Sequence, residues 1–196
     1  MSNLMINLHS NNELNKFYSH LKWYKLFFNK RKLTIKIHYP IKKREKEELM
    51  MIEDAFNIKN DYERLKYTYQ KLCDILDKDI ENNICEFDKS GLCIAQRNGK
   101  CPSKINGCCG TCKYIGKKGC TISSLSCKTF YCSYIKKKKS IIDYKKIKLY
   151  KYFLTIPQKL IIESNFWNTQ EENLKVLYHA HFTTWLFHHN KKMKRF

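Results

Sequence analysis

Nine of the ten cysteines and all six glycines of this 196-residue chain lie between Cys85 and Cys132. From Cys93 onward the thiols stand at Cys93, Cys101, Cys108, Cys109, Cys112, Cys120, Cys127 and Cys132, enough for two four-ligand sites. The glycines interleave with them, and Pro102 fixes a turn directly after Cys101, so the segment reads as short loops able to fold around an ion. No histidine lies within it, and a metal held here would see sulfur only. Tetrahedral sulfur coordination points to zinc or an iron–sulfur cluster, not to magnesium, calcium or an open catalytic zinc.

The competing reading is a disulfide framework, which a similar cysteine count gives in small secreted domains. The run Met1-Ser2-Asn3-Leu4-Met5-Ile6-Asn7-Leu8-His9 has no basic stretch followed by an apolar core of the signal-peptide kind, so a reducing, cytoplasmic location is expected. Adjacent Cys108 and Cys109 pair with each other only in a strained geometry. Metal therefore outweighs both disulfides and reduced bystander thiols. Which metal stays open. Cys109-x2-Cys112 is the only C-x2-C pair, so neither the doubled pair of a zinc ribbon nor the cysteine run of a bacterial ferredoxin is present.

Three consecutive motifs carry a resemblance. Cys112-Lys113-Tyr114-Ile115, Gly119-Cys120-Thr121-Ile122 and Cys127-Lys128-Thr129-Phe130-Tyr131-Cys132 follow the order C-x-[FY]-[LI], G-C-[ST]-[IV], C-[RK]-x-[FW]-x-C. Over Cys112–Cys132 the chain resembles the second half of the zinc- or iron-chelating cysteine-cluster family, which includes the flagellin lysine methylase. In the first half that family usually carries C-x2-C-G-x-C-C, whereas this chain has Cys108-Cys109-Gly110-Thr111-Cys112, with the doublet first. The resemblance implies eight ligand-type cysteines and an iron or zinc centre. It does not imply methylation, because no glycine-rich fingerprint follows a strand to hold a nucleotide-like cofactor.

The elements that must position these thiols are helical by their spacing. From Asn11 to Lys32, Leu14, Phe17, Tyr18, Leu21, Tyr24 and Phe28 recur every three or four residues, and Trp23 and Phe27 widen the stripe. That favours a core-facing helix over a membrane-surface one, although Lys22, Lys25, Lys30, Arg31 and Lys32 make it basic. Leu33–His38 alternates, as a short strand or a linker closed by Pro40. Lys42–Phe56 is a charged helix with Leu49, Ile52 and Phe56 on one face. After a short break, Ile58, Tyr62, Leu65, Tyr69, Leu72 and Leu76 form a packing seam, with Cys73 beside it as a small hydrophobe.

Beyond the cysteines, Lys136, Lys137, Lys138 and Lys139 precede Tyr144, Tyr150, Tyr152 and interleaved lysines. Such a pattern can track a phosphate backbone and stack bases, but a solvated basic face over a tyrosine-rich core face is the favoured reading. Thr169-Gln170-Glu171-Glu172 is a capping box that starts a last helix, along which Leu174, Tyr178, His181, Trp185 and His188 form a stripe. Packing is favoured over metal ligation for His179, His181, His188 and His189.

The chain is strongly basic, +20 overall, with the excess growing along it. Residues 1–82 carry 16 basic and 12 acidic side chains, 83–135 carry 8 and 2, and 136–196 carry 14 and 4. Nucleic acid or another polyanion is the partner such a field attracts. Only five of the basic residues are arginine, and abundant Asn, Ile and Tyr suggest A- and T-rich coding, which lowers the weight of the charge. No apolar run reaches the ~18 residues of a membrane span, and no membrane partner is expected. The expected fold is mainly α, with helical arms 1–82 and 136–196 clasping a loop-rich, metal-stabilised module at 83–135 in one compact domain. Function reads as metal binding, zinc or iron–sulfur. Two alternatives stand beside it: a nucleic-acid-binding protein with a structural metal, and a redox or group-transfer enzyme on an iron–sulfur centre. Against an enzyme, no Ser/His/Asp triad, phosphate loop or H-E-x-x-H helix is present.

Overall fold

A computed structural model describes residues 3–82, 115–116, 119–120, 124–129, 142–164 and 169–180. The chain opens with strand β1 (Asn3–Leu8), helix α1 (Asn11–Phe28) and strand β2 (Lys32–Ile37). The strands pair in parallel, from Asn3 opposite Lys32 to Leu8 opposite Ile37. Parallel neighbours need a connection about a dozen or more residues long, and α1 supplies it. Here the structure adds to the helical expectation. Leu33–His38 takes its strand option, and β1, with Leu4, Ile6 and Leu8 alternating inward, is a strand that the helical reading did not contain.

Helix α1 starts where Ser10 accepts a hydrogen bond from the Glu13 N–H at 3.3 Å, satisfying a donor the first turn leaves free. It buries Leu14, Phe17, Tyr18 and Leu21, as their spacing predicts. Trp23 and Phe27 do not widen this stripe, because both are exposed. Helix α2 (Lys43–Asn57) then closes the outer edge of β2. The Ile35 N–H donates to Glu53 Oε2 at 2.9 Å, while the Asn57 amide accepts from the Leu33 N–H at 2.8 Å and donates to the Leu33 carbonyl at 2.9 Å. Two side chains thus occupy the place of a third strand.

Helix α3 (Asp61–Asn82) carries the seam: Leu65, Tyr69, Leu72 and Leu76 are buried, and Cys73 is buried beside them. Each such leucine contributes about 1.5–3 kcal/mol by leaving water. A small antiparallel pair follows, β3 (Ile115–Gly116) with β4 (Gly119–Cys120), and then a one-turn helix α4 (Leu125–Lys128). After a 3-10 turn at Tyr144–Lys146 come α5 (Lys148–Phe153), α6 (Ile156–Ser164) and α7 (Gln170–Tyr178). Among the described residues this makes seven α-helices and two small sheets, so the architecture is mainly α.

The later helices pack onto the N-terminal ones, α5 against α2 and α3, and α7 against α3. Ile147, Leu149, Tyr150, Phe153, Ile161 and Ile162 join the same core. Tyr150 is buried while Lys145, Lys146 and Lys151 are exposed, which is the solvated basic face over a tyrosine core face. The Tyr144 and Tyr150 hydroxyls both donate to Glu163 Oε1, at 3.3 and 3.1 Å, and Lys145 pairs with the same oxygen at 3.0 Å. In α7 the Thr169–Glu172 capping box is present in full. The expected stripe is shifted, however: Leu174 is buried but Tyr178 is exposed, and Leu177 fills the core instead. No helix among the described residues is long and apolar enough to cross a membrane.

Candidate metal centre

The cysteine run meets the helical scaffold at Ser124-Leu125-Ser126-Cys127-Lys128-Thr129. Ser124, Leu125, Ser126 and Lys128 are buried, and Cys127 between them is half-buried. Burying so polar a hexapeptide is costly unless its groups are paired. Here the pairing reaches across the molecule. The Leu125 N–H donates to the Tyr69 hydroxyl oxygen on α3 at 2.8 Å. Asn173 on α7 donates from its amide to that oxygen and to Ser124 Oγ, both at 3.1 Å. Burial pushes the Tyr69 phenol up to about 12, against the opposing pull of its hydrogen bonds to Leu125, Asn173 and Ser124, so it stays neutral.

Lys128 supplies a second anchor. Its side chain is 4% exposed and its ammonium pairs with Asp77 on α3, itself about half exposed. The aliphatic stem is thereby held in the core while the charge reaches a partner at the core's rim. Within the turn, the Lys128 and Thr129 N–H groups return to the Ser124 and Leu125 carbonyls at 3.0 Å each, and Thr129 Oγ1 donates to the Ser126 carbonyl at 3.1 Å. The segment carrying Cys127 is fixed on both sides and within itself.

Cys120 lies in β4 with its Cα opposite Ile115, and Gly116 faces Gly119 next to the connection. Cys93, Cys101, Cys108, Cys109, Cys112 and Cys132 lie outside the described residues, as do Lys136, Lys137, Lys138 and Lys139. His181, His188 and His189 do too, while His179 caps the C-terminus of α7. Among the described residues no group of three or more His, Cys, Asp or Glu side chains converges.

Cys73 gives the contrasting case. It is 1% exposed, and burial, together with Asp77 and Asp74, raises its thiol to about 12 although the nearby Lys128 ammonium pulls the other way. A thiol so reluctant to ionise is a poor metal ligand, because the thiolate is the binding form. Cys127, by contrast, is half-buried and forms no disulfide.

Motif spacing did not single out Tyr69, Ser124 and Asn173 as a set. The available signal was an asparagine on the core side of α7, flanked by buried Leu174 and followed one turn later by buried Leu177. An open groove of about 510 Å³ between α2 and α3 is lined by charges of both signs, including Glu47, Asp54, Lys71 and Asp74. Two of its walls are joined by the Tyr67 hydroxyl, which donates to Asp54 Oδ2 at 2.8 Å. No family model matches the chain, and no curated protein and no solved structure matches it.

Proposed function

We propose that the chain is a metal-binding cysteine-cluster protein, with zinc or an iron–sulfur cluster held by thiolates drawn from Cys93, Cys101, Cys108, Cys109, Cys112, Cys120, Cys127 and Cys132. The reading extends the resemblance carried by Cys112–Cys132, and it needs a reducing compartment such as the cytoplasm to keep the thiols available. The observation that carries it is the anchoring of the Cys127 turn. A four-residue helix is held by a buried tyrosine and a buried asparagine from outside the cysteine run, and by its own buried Lys128 reaching Asp77 on α3, an expensive way to fix a thiol that has only packing to do. When bound, the metal supplies cross-links between loops too short and polar to form a core, so that folding of the module and metal binding are one equilibrium. The protein's own part is to present deprotonated sulfurs from a prepositioned turn.

The nucleic-acid reading rests on Lys136–Lys139 and the general field. Its stacking component at 142–153 is reduced to the half-buried Tyr152, since Tyr150 and Phe153 are core residues and Tyr144 is tied to Glu163.

Purification without oxygen, followed by metal analysis and an absorption spectrum, tests the proposal. Stoichiometric zinc or iron is expected, with visible charge-transfer bands in the iron case. Protein that contains neither metal in stoichiometric amount would sink it.

A further inference from the structure

Helix α1 has a second face that the core does not use. Trp23, Leu26 and Phe27 are 58, 67 and 64% exposed. Their i, i+3, i+4 spacing places them in one patch, one helical turn deep. The Trp23 and Phe27 rings lie nearly parallel, at 4°, with centroids 5.5 Å apart. With Leu26 beside them they form one apolar patch.

The surroundings of this patch have one sign. Residues 14–44 hold ten lysines and arginines and no aspartate or glutamate. Lys16 and Lys22 before the patch and Lys30, Arg31 and Lys32 after it are exposed. More cations come from the far end of the chain. Lys159 on α6 has its ammonium lowered first by burial and then by Lys22 and Lys151, which places these three charges together. Of the carboxylates in range, Asp61 is paired with Arg64 and Glu163 with Lys145.

We infer that this face of α1 docks on an anionic lipid surface, with Trp23, Leu26 and Phe27 entering the boundary between headgroups and acyl chains and the flanking lysines and Arg31 engaging the headgroups. Aromatic and leucine side chains ringed by cations are the composition that partitions into such an interface without spanning it. The chemistry disfavours the other occupants. Base stacking would use only the outer ring faces of Trp23 and Phe27, which lie nearly parallel to each other, and would give the exposed Leu26 nothing to do. A second copy would bring the same acid-free segment against itself, because a two-fold interface repeats one patch on both partners.

The test uses the full chain with vesicles of phosphatidylcholine alone or mixed with phosphatidylglycerol, read by co-flotation. The wild type should float with the anionic vesicles and remain behind with the neutral ones. The variant Trp23→Ser/Leu26→Ser/Phe27→Ser, whose exposed positions leave the core intact by circular dichroism, should partition at least about tenfold more weakly. Trp23 emission, isolated as the difference between the wild type and Trp23→Phe, should shift to the blue on binding. Equal partitioning of the wild type and the triple variant would overturn the inference, as would failure of the wild type to bind anionic vesicles. Patch-dependent retention of an oligonucleotide that vesicles do not displace, or patch-dependent dimerisation without vesicle binding, would replace lipid by that partner.

Discussion

Cys73 and Cys127 stand on helices that pack against each other, α3 and α4, and Lys128 bears on both. It follows Cys127 in sequence, and its ammonium acts on the Cys73 thiol. The two sulfurs nevertheless live in different chemistry. Cys73 is sealed among Tyr69, Leu72 and Leu76, and it keeps its proton well into the alkaline range. Cys127 sits half-buried on a turn whose neighbours are pinned by hydrogen bonds and an ion pair. Burial therefore sets Cys73 apart from Cys127 even though the helices that carry them are in contact.

The largest expected effect comes from removing a sulfur on the module side. Structural zinc sites are worth about 10–16 kcal/mol at neutral pH, and on the proposed reading Cys127→Ser or Cys120→Ser would leave one site with three protein ligands. Metal content by elemental analysis and thermal stability should both fall sharply. Full retention of metal in Cys127→Ser would place Cys127 with Cys73 among the bystanders. Next in size is the anchor. Tyr69→Phe keeps the ring but leaves the Leu125 N–H without its buried acceptor, and urea unfolding should show a loss of about 1–3 kcal/mol. An unchanged midpoint and slope would mean that the turn does not depend on the clasp.

On the other side of the comparison, Cys73→Ala should cost about 1–2 kcal/mol as a modest core truncation and leave the metal in place. Loss of metal from this variant would move the boundary of the module onto α3. The subtlest difference is in pH dependence. Folding raises the Cys73 thiol from its ordinary 9.0 to about 12, so between those values the folded state holds a proton that the unfolded state has released. Its contribution to stability is complete below about pH 9 and disappears as pH rises toward 12. The stability difference between wild type and Cys73→Ala, followed by denaturant unfolding from neutral pH upward, should shift in that direction. A pH-independent difference would mean that the thiol is open to solvent.

Much of the helical frame was legible because its signals are local. The stripe Leu14, Phe17, Tyr18, Leu21, the seam through Tyr69 and Leu76, and the Thr169–Glu172 box each lie within one element, and each is found. Where the reading went astray, adjacent residues compete for one face. Trp23 and Phe27 sit next to core-side Tyr24 and Phe28, and Tyr178 next to Leu177, so rotation of the helix by about one residue decides which is buried. Strand β1 is short and finds its partner only across the whole of α1. The clasp at the candidate site joins residues 56, 49 and 104 positions apart. No periodic pattern links a tyrosine, a serine and an asparagine over such distances.

The closure of β2 by Glu53 and Asn57 has a consequence for what the sheet edge offers to another chain. Those bonds span 18 and 24 residues, and β1 pairs with β2 across α1 alone. All of these contacts lie within the first 57 residues, and ring closures of this length are entropically cheap. The parallel strand pair and its capped edge are therefore built from contacts within residues 3–57 alone, with no part taken by the cysteine run. An incoming strand from another chain finds the Leu33 N–H and C=O and the Ile35 N–H on the β2 edge already taken by side chains.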